Sequence, residues 1–180
     1  ALSIAQLFQR AKELERQNRE VIHLEVGELD LPIPASVRDM SPKARSHYSD
    51  IFGLPELREA ISGFLKITHG VDVNTDQILV TTGSRFAIFS AISTFVGKEG
   101  CAIVIDPSWP GYAECAEAAG VKLRRVHGRY EENWEPDIIA VEEAMKENAR
   151  MLILNYPNNP TGKVLSREKL DQILDLARRY

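Results

Sequence analysis

Two short runs without a single polar residue constrain this chain more than any other feature of its sequence. Cys101-Ala102-Ile103-Val104-Ile105 lies between Gly100 and Pro107, and Met151-Leu152-Ile153-Leu154 runs straight into Asn155. A strand with one wet face alternates polar and apolar residues. A strand that is apolar at every position has to be covered on both faces. Covering both faces of a sheet takes helices above and below it.

The intervening segments supply those helices. Residues 55–68 carry Leu57, Ala60, Ile61, Phe64 and Leu65 on one helical stripe, with Pro55 at the start and Gly70 at the end. Residues 84–96 read as a strongly apolar helix, 110–119 as a helix ended by Gly120, and 137–148 as a third. Ser166 caps a last helix, with Leu170, Ile173, Leu174 and Ala177 facing inward. Strands are expected at residues 77–81 and 121–126 besides the two apolar runs. The alternation predicts an α/β fold, a three-layer α-β-α arrangement around a mainly parallel sheet.

Upstream the pattern differs. Residues 3–19 predict an amphipathic helix capped by Ser3, and residues 21–26 a short strand ended by Gly27. Residues 30–47 hold Pro32, Pro34 and Pro42 with few strong apolar positions, which marks a connection with a helical turn or two. The expected division is therefore 1–47 as an N-terminal arm with part of a small domain, and 48–180 as the first part of a larger one.

Composition excludes several classes of function. The 180 residues are 44% hydrophobic and 27% charged, an ordinary globular balance that argues against disorder. A net charge of −4 argues against nucleic acid or an anionic membrane as partner. No apolar run approaches the roughly 18–20 residues of a membrane span. The two cysteines, Cys101 and Cys115, form no CxxC and read as small buried hydrophobes, which suits a reducing cytoplasm. His23, His47, His69 and His127 lack metal-ligand spacing, so no metal site is expected.

In an α/β sheet, ligands sit beyond the carboxyl ends of the strands, which directs attention to three loops. Thr81-Thr82-Gly83-Ser84-Arg85 precedes an apolar helix. A glycine that permits close approach, a hydroxyl, a cation and a helix N-terminus together suit a phosphate; an ordinary helix start is the plainer reading. Asp106-Pro107-Ser108-Trp109-Pro110-Gly111-Tyr112 holds an indole between prolines. That ring could stack on a flat heterocycle or simply pack under the loop. Asn155-Tyr156-Pro157-Asn158-Asn159-Pro160-Thr161-Gly162 contains an overdetermined turn whose side-chain amide can donate to a ligand oxygen.

Taken in order, these loops resemble those of the class I/II aminotransferases, pyridoxal-phosphate enzymes of fold type I. Two further segments carry the resemblance: Tyr48 followed by Gly53-Leu54-Pro55-Glu56-Leu57-Arg58-Glu59-Ala60, and Val26-Gly27-Glu28-Leu29-Asp30, where Leu29 stands in place of the family's proline. The resemblance runs from Val21 to Tyr180.

It implies a role for each matching residue. Gly83, Ser84 and Arg85 would hold the phosphate of pyridoxal 5'-phosphate. Trp109 would stack on the pyridine ring. Asn159 would donate to the ring hydroxyl oxygen, and the Asn159–Pro160 bond would be cis. Tyr48 would reach the phosphate in a neighbouring subunit, which implies a homodimer with shared sites. Gly27, Trp109 and Asn159 would border an amino acid or 2-oxo acid substrate. In this fold type the strand at 77–81 is separated from the others by strands that follow Tyr180.

The family's catalytic lysine would also lie beyond Tyr180, so no catalytic residue is assigned in this chain. Lys163 and Lys169 are read as solvated surface. The implied function is transfer of an amino group between an amino acid and a 2-oxo acid, with this chain inactive alone. A lyase or synthase of the same fold, or a non-catalytic fragment of it, is the alternative.

Overall fold

The computed structural model describes residues 4–24, 27, 29, 31–38 and 48–180. The chain forms two compact units, Ala1–Tyr48 and Ser49–Tyr180.

In the first unit, α1 (Ile4–Arg16) follows the predicted amphipathic pattern and buries Ala11. Two residues past its end, Asn18 takes a φ of 56°, in the left-handed region. A short helix, α2 (Ala35–Arg38), is the helical turn expected in the proline-rich connection. The strand expected at 21–26 is not formed over residues 21–24, and Glu25 and Val26 lie outside the described residues. Ile22 and Leu24 are more than four-fifths exposed. β-branched residues favour a strand only where a neighbour offers a ladder and a surface to pack on, and among the described residues nothing pairs with 21–24 as a strand.

The second unit opens with α3 (Pro55–His69), which starts on Pro55 and stops at Gly70. Gly70 takes φ 66°, and its N–H and that of Val71 return to the carbonyls of Lys66 and Leu65. That paired closure of the last turn requires a left-handed residue, which glycine supplies without strain. A 3₁₀ turn at Thr75–Gln77 follows.

The strand expected at 77–81 does not form: Gln77 ends the 3₁₀ turn, and residues 78–81 do not join the sheet. Ile78 is extended and buried, and the Val80 N–H donates to the Phe52 carbonyl at 2.9 Å. A strand is defined by its ladder, and the Val80–Phe52 bond is not continued into one.

The rest builds three layers. Helix α4 (Ser84–Phe95) leads to β1 (Cys101–Asp106), then α5 (Gly111–Ala118), β2 (Lys122–His127), α6 (Ile138–Lys146), β3 (Ala149–Ile153) and α7 (Arg167–Arg179). The strands are parallel in the order β2-β1-β3. All six residues of central β1 are buried, as its uninterrupted apolar run requires.

Alternate residues of β1 serve opposite cores. Ile103 packs with Val126, Val141, Ala144, Met145 and Leu176, beneath α6 and α7. Ala102 packs with Ile92, Val96, Cys115 and Val121, beneath α4 and α5. The period of two along a strand thus divides one segment between two helical layers. Asp137 and Ser166 cap α6 and α7, accepting from the N–H groups of Ile139 and Lys169.

This topology positions the site. The chain leaves β1 through α5 on one face and returns from β2 through α6 on the other. In parallel sheets of this kind ligands lie beyond the carboxyl ends of the strands, on either side of the central one.

Candidate functional site

At loop 81–85, Gly83 precedes α4 with φ 83° and ψ 166°, backbone that side-chain-bearing residues rarely adopt. Its N–H donates to the Thr81 carbonyl at 2.8 Å, and the Thr81 hydroxyl donates to the Gly83 carbonyl at 3.0 Å. No side chain caps the helix. The N–H groups of Ser84, Arg85 and Phe86 have no acceptor among the described residues. Three parallel donors at the positive end of a helix dipole make a ready anion cradle.

The Arg85 side chain points elsewhere. Its Nη2 donates to Glu114 Oε2 at 2.8 Å, and the guanidinium lies 5.1 Å from the centre of the Trp109 ring. In this arrangement, what Arg85 offers an anion is its backbone N–H, because its charge is matched by Glu114.

The second loop begins where β1 ends. Asp106 is 8% exposed, and its carboxylate accepts from Ser108 Oγ and, at 2.6 Å, from Arg125 Nη1 on β2. The network anchors the chain three residues before Trp109. The indole is half-buried and meets Tyr112 edge-on, with ring centres 5.4 Å apart at 90°. Burial raises the pKa of the Tyr112 phenol above its ordinary value.

The third loop follows β3 and contains two cis bonds, Tyr156–Pro157 and the expected Asn159–Pro160; Asp106–Pro107 is a third. Asn158 organises this loop. Its Nδ2 donates to the Pro107 carbonyl at 2.8 Å and to Thr161 Oγ1 at 2.9 Å. Its backbone N–H donates to the Lys163 carbonyl at 2.8 Å, and its carbonyl accepts from Gly162 N–H at 2.8 Å. The adjacent Asn159 is exposed, and its side-chain amide has no partner among the described residues.

Lys163 departs from expectation. Its side chain is only 12% exposed and forms an ion pair with Glu135, itself 28% exposed. The pair ties the third loop to the segment after β2. Partial burial is what makes a lysine seek such a partner. Lys169 lies on α7 and is partly exposed, its N–H held by Ser166 Oγ. Tyr156 stands near the same carboxylate: burial first, and Glu135 second, push its phenol up to about 12.

The three loops therefore gather at one end of the sheet, joined by Asn158 to Pro107 and by Arg85 to Trp109 and Glu114. Tyr48 and Gly27 belong to the first unit, and both are exposed. Asp106, Arg125, Asn158 and Glu135 were not singled out from the sequence. The immediate neighbourhood of Trp109 and Asn159 was the available signal for two of them. Nothing in sequence spacing joins Arg125 or Glu135 to the loops they hold.

The fold is a parallel α/β sheet with an open helix N-terminus, an indole and an exposed amide gathered at one end of it. Residues 19–180 match the profile of the family described as aminotransferase class I and II, and the chain belongs to that family. It is 34% identical to the aspartate aminotransferase of Pyrococcus horikoshii over 98% of its own length and 45% of that protein's. It is 32% identical to the aspartate/prephenate aminotransferase of Thermus thermophilus, over 93% of this chain and 45% of that one.

Solved structures agree. The aspartate aminotransferase from Thermus thermophilus with maleate superposes with a TM-score of 0.90 at 30% identity, over 99% of this chain and 48% of that one. The aspartate aminotransferase from Thermotoga maritima gives 0.89 at 31%, over 99% and 49%. The chain spans about half the length of the relatives it matches.

Proposed function

We propose that the protein to which this chain contributes is a pyridoxal-phosphate-dependent aminotransferase, moving an amino group between an amino acid and a 2-oxo acid. The observation that carries this reading is the set of three unaccepted N–H groups at Ser84, Arg85 and Phe86, at the same sheet end as Trp109 and the unpaired amide of Asn159. The donor set fits the cofactor: a dianionic phosphate suits the helix N-terminus, a flat ring suits the indole, and a ring oxygen suits a free amide donor. When bound, pyridoxal phosphate supplies an electron sink for the bonding electrons of the amino acid's α-carbon.

The chain's own residues would then bind and orient. Gly83 opens the backbone so that the N–H groups of Ser84 and Arg85, with the Ser84 hydroxyl, converge on the phosphate. Trp109 covers the ring. Asn159 Nδ2 donates a hydrogen bond that favours an ionised ring oxygen. Asn158 and Asp106 keep the two loops in register with each other.

Lys163, which follows the third loop, is committed to Glu135. The reading places the reacting lysine beyond Tyr180, in line with the chain's share of its relatives' length. It also assigns Tyr48 to a neighbouring subunit's phosphate, and so a homodimer with shared sites. Gly27 would border the substrate carboxylate. The buried free cysteines, Cys101 and Cys115, suit a reducing cytoplasm. No described helix is long and apolar enough to cross a membrane.

The test is reconstitution of the full-length protein with pyridoxal phosphate, followed by an assay with aspartate and 2-oxoglutarate. Aspartate is the first donor to try because the relatives are named for it. The expected result is a visible absorbance band from the lysine-bound cofactor and transfer of the amino group. Absence of the band at saturating cofactor overturns the reading. The 180-residue chain by itself is expected to show no turnover.

A further inference from the structure

Gly111 is the first residue of α5 and is buried, yet neither usual reason for glycine applies to it. It is not among the residues with positive φ, so its backbone would accept any side chain. Inside a helix, alanine is the better former.

What excludes a side chain is Trp109. A Cβ built on Gly111 would lie 2.2 Å from Cη2 of the indole and 2.4 Å from both Cζ2 and Cζ3. Near-equal distances to three consecutive ring carbons put that carbon over the ring, not off its edge. The Gly111 backbone is therefore the surface on which the six-membered ring of Trp109 rests. Tyr112 meets the ring edge-on, and the Arg85 guanidinium lies 5.1 Å from its centre.

We propose that Gly111 is a positioning residue, whose missing side chain sets the pose of the Trp109 indole and thereby its ability to stack on a flat cofactor ring. The stacking half of this inference rests on the proposed function; the positioning half does not. Any side chain at 111 has to push the ring off its seat. Ordinary carbon contact lies beyond about 3.5 Å, so the displacement is on the order of an ångström.

The test is a two-by-two set in the full-length protein: Gly111→Ala, Trp109→Phe, and both together. Phenylalanine lacks the three outer carbons that a methyl group would strike. Without cofactor, Gly111→Ala is expected to change the near-ultraviolet circular dichroism that Trp109→Phe removes, while the far-ultraviolet spectrum stays the same. In thermal unfolding the sign inverts. Gly111→Ala lowers the midpoint when Trp109 is present and raises it in the Trp109→Phe background, where only helix propensity is left.

With pyridoxal phosphate as probe, Gly111→Ala is expected to weaken binding about two- to tenfold with Trp109 present, the share a stacked aromatic pair carries, and not in the Trp109→Phe background. Should Gly111→Ala fail to fold while the double variant folds, the indole is identified as the obstacle. If both fail, the glycine serves something else and the proposal is overturned. Unchanged dichroism and unchanged binding in Gly111→Ala also overturn it, while leaving the proposed function intact. If the unmutated protein binds no cofactor, the proposed function and the stacking role fail together. The dichroism and the unfolding cycle then decide the positioning role alone.

Discussion

The side-chain amide of Asn158 donates to the backbone carbonyl of Pro107 across 51 residues of sequence, at 2.8 Å. Two loops that leave neighbouring parallel strands are thereby held as one. Trp109 lies two residues beyond the acceptor and Asn159 one residue beyond the donor, so a single bond sets the spacing between a ring and an amide donor.

Replacing Asn158 with alanine removes both side-chain bonds, to Pro107 and to Thr161, and leaves a partly buried carbonyl without its donor. The expected cost is about 1–3 kcal/mol in urea unfolding. Pyridoxal phosphate binding should weaken as well, because both Trp109 and Asn159 lose their common reference. Asn158→Asp should be the more damaging change, since it sets a carboxylate against the Pro107 carbonyl. Equal stability and equal binding in both variants would show that the loops are spaced by other contacts.

Gly83 holds φ 83° and ψ 166° where α4 begins. An alanine there meets no neighbouring atom within 4 Å, so its cost is conformational alone. That cost is about 1–3 kcal/mol. A backbone that relaxes to escape it turns the N–H groups of Ser84 and Arg85. Gly83→Ala is therefore expected to lower affinity for pyridoxal phosphate more than for pyridoxal, which has no phosphate to lose. Titration of both compounds checks this, and an equal loss for both would count against the phosphate cradle.

Asp106 draws together the end of β1, Ser108 and Arg125. Asp106→Ala strips the half-exposed Arg125 of its partner and unfastens the loop before Trp109. A loss of about 2–3 kcal/mol is expected, on the scale of hydrogen bonds to a charged group. Asp106→Asn keeps an acceptor for one of the two donors and should lose less. Chemical denaturation of the two variants side by side gives the comparison.

Tyr156 predicts an alkaline dependence. Its phenol is pushed up to about 12 in the folded protein, against an ordinary value of 10. Below pH 10 the phenol keeps its proton whether the chain is folded or not, and the contribution to stability is complete. Between 10 and about 12 the unfolded chain gives up the proton first, so stability falls as pH rises. The loss is at most about 2–3 kcal/mol and smaller in practice, because the phenol is only half-buried. Tyr156→Phe should flatten this part of the curve in unfolding experiments from pH 9 to 12. A slope that persists unchanged would assign it to other groups.

The legible parts of this protein were those written in local pattern. The apolar runs 101–105 and 151–154 announced buried parallel strands, and Ser166, Gly70 and Pro55 announced helix ends. Each of these depends on the residue and its near neighbours, so the physics that decides them is within reach of a short window. Residues 21–24 and 78–81 carried the same strand-like composition and formed no ladder, because a ladder needs a second strand that composition does not specify.

The same division runs through the site. By itself the sequence determined the three loops, their order, the helix N-terminus at Ser84 and the family to which the motifs point. Tertiary structure alone decided what holds the loops together. Arg125 reaches Asp106, Lys163 reaches Glu135, Arg85 turns to Glu114, and Gly111 supports Trp109 as a seat that no side chain may share. The three ion pairs form between groups that chain tracing separates and sheet topology brings together. Their energy depends on burial and distance, and neither exists until β2, β1 and β3 stand side by side.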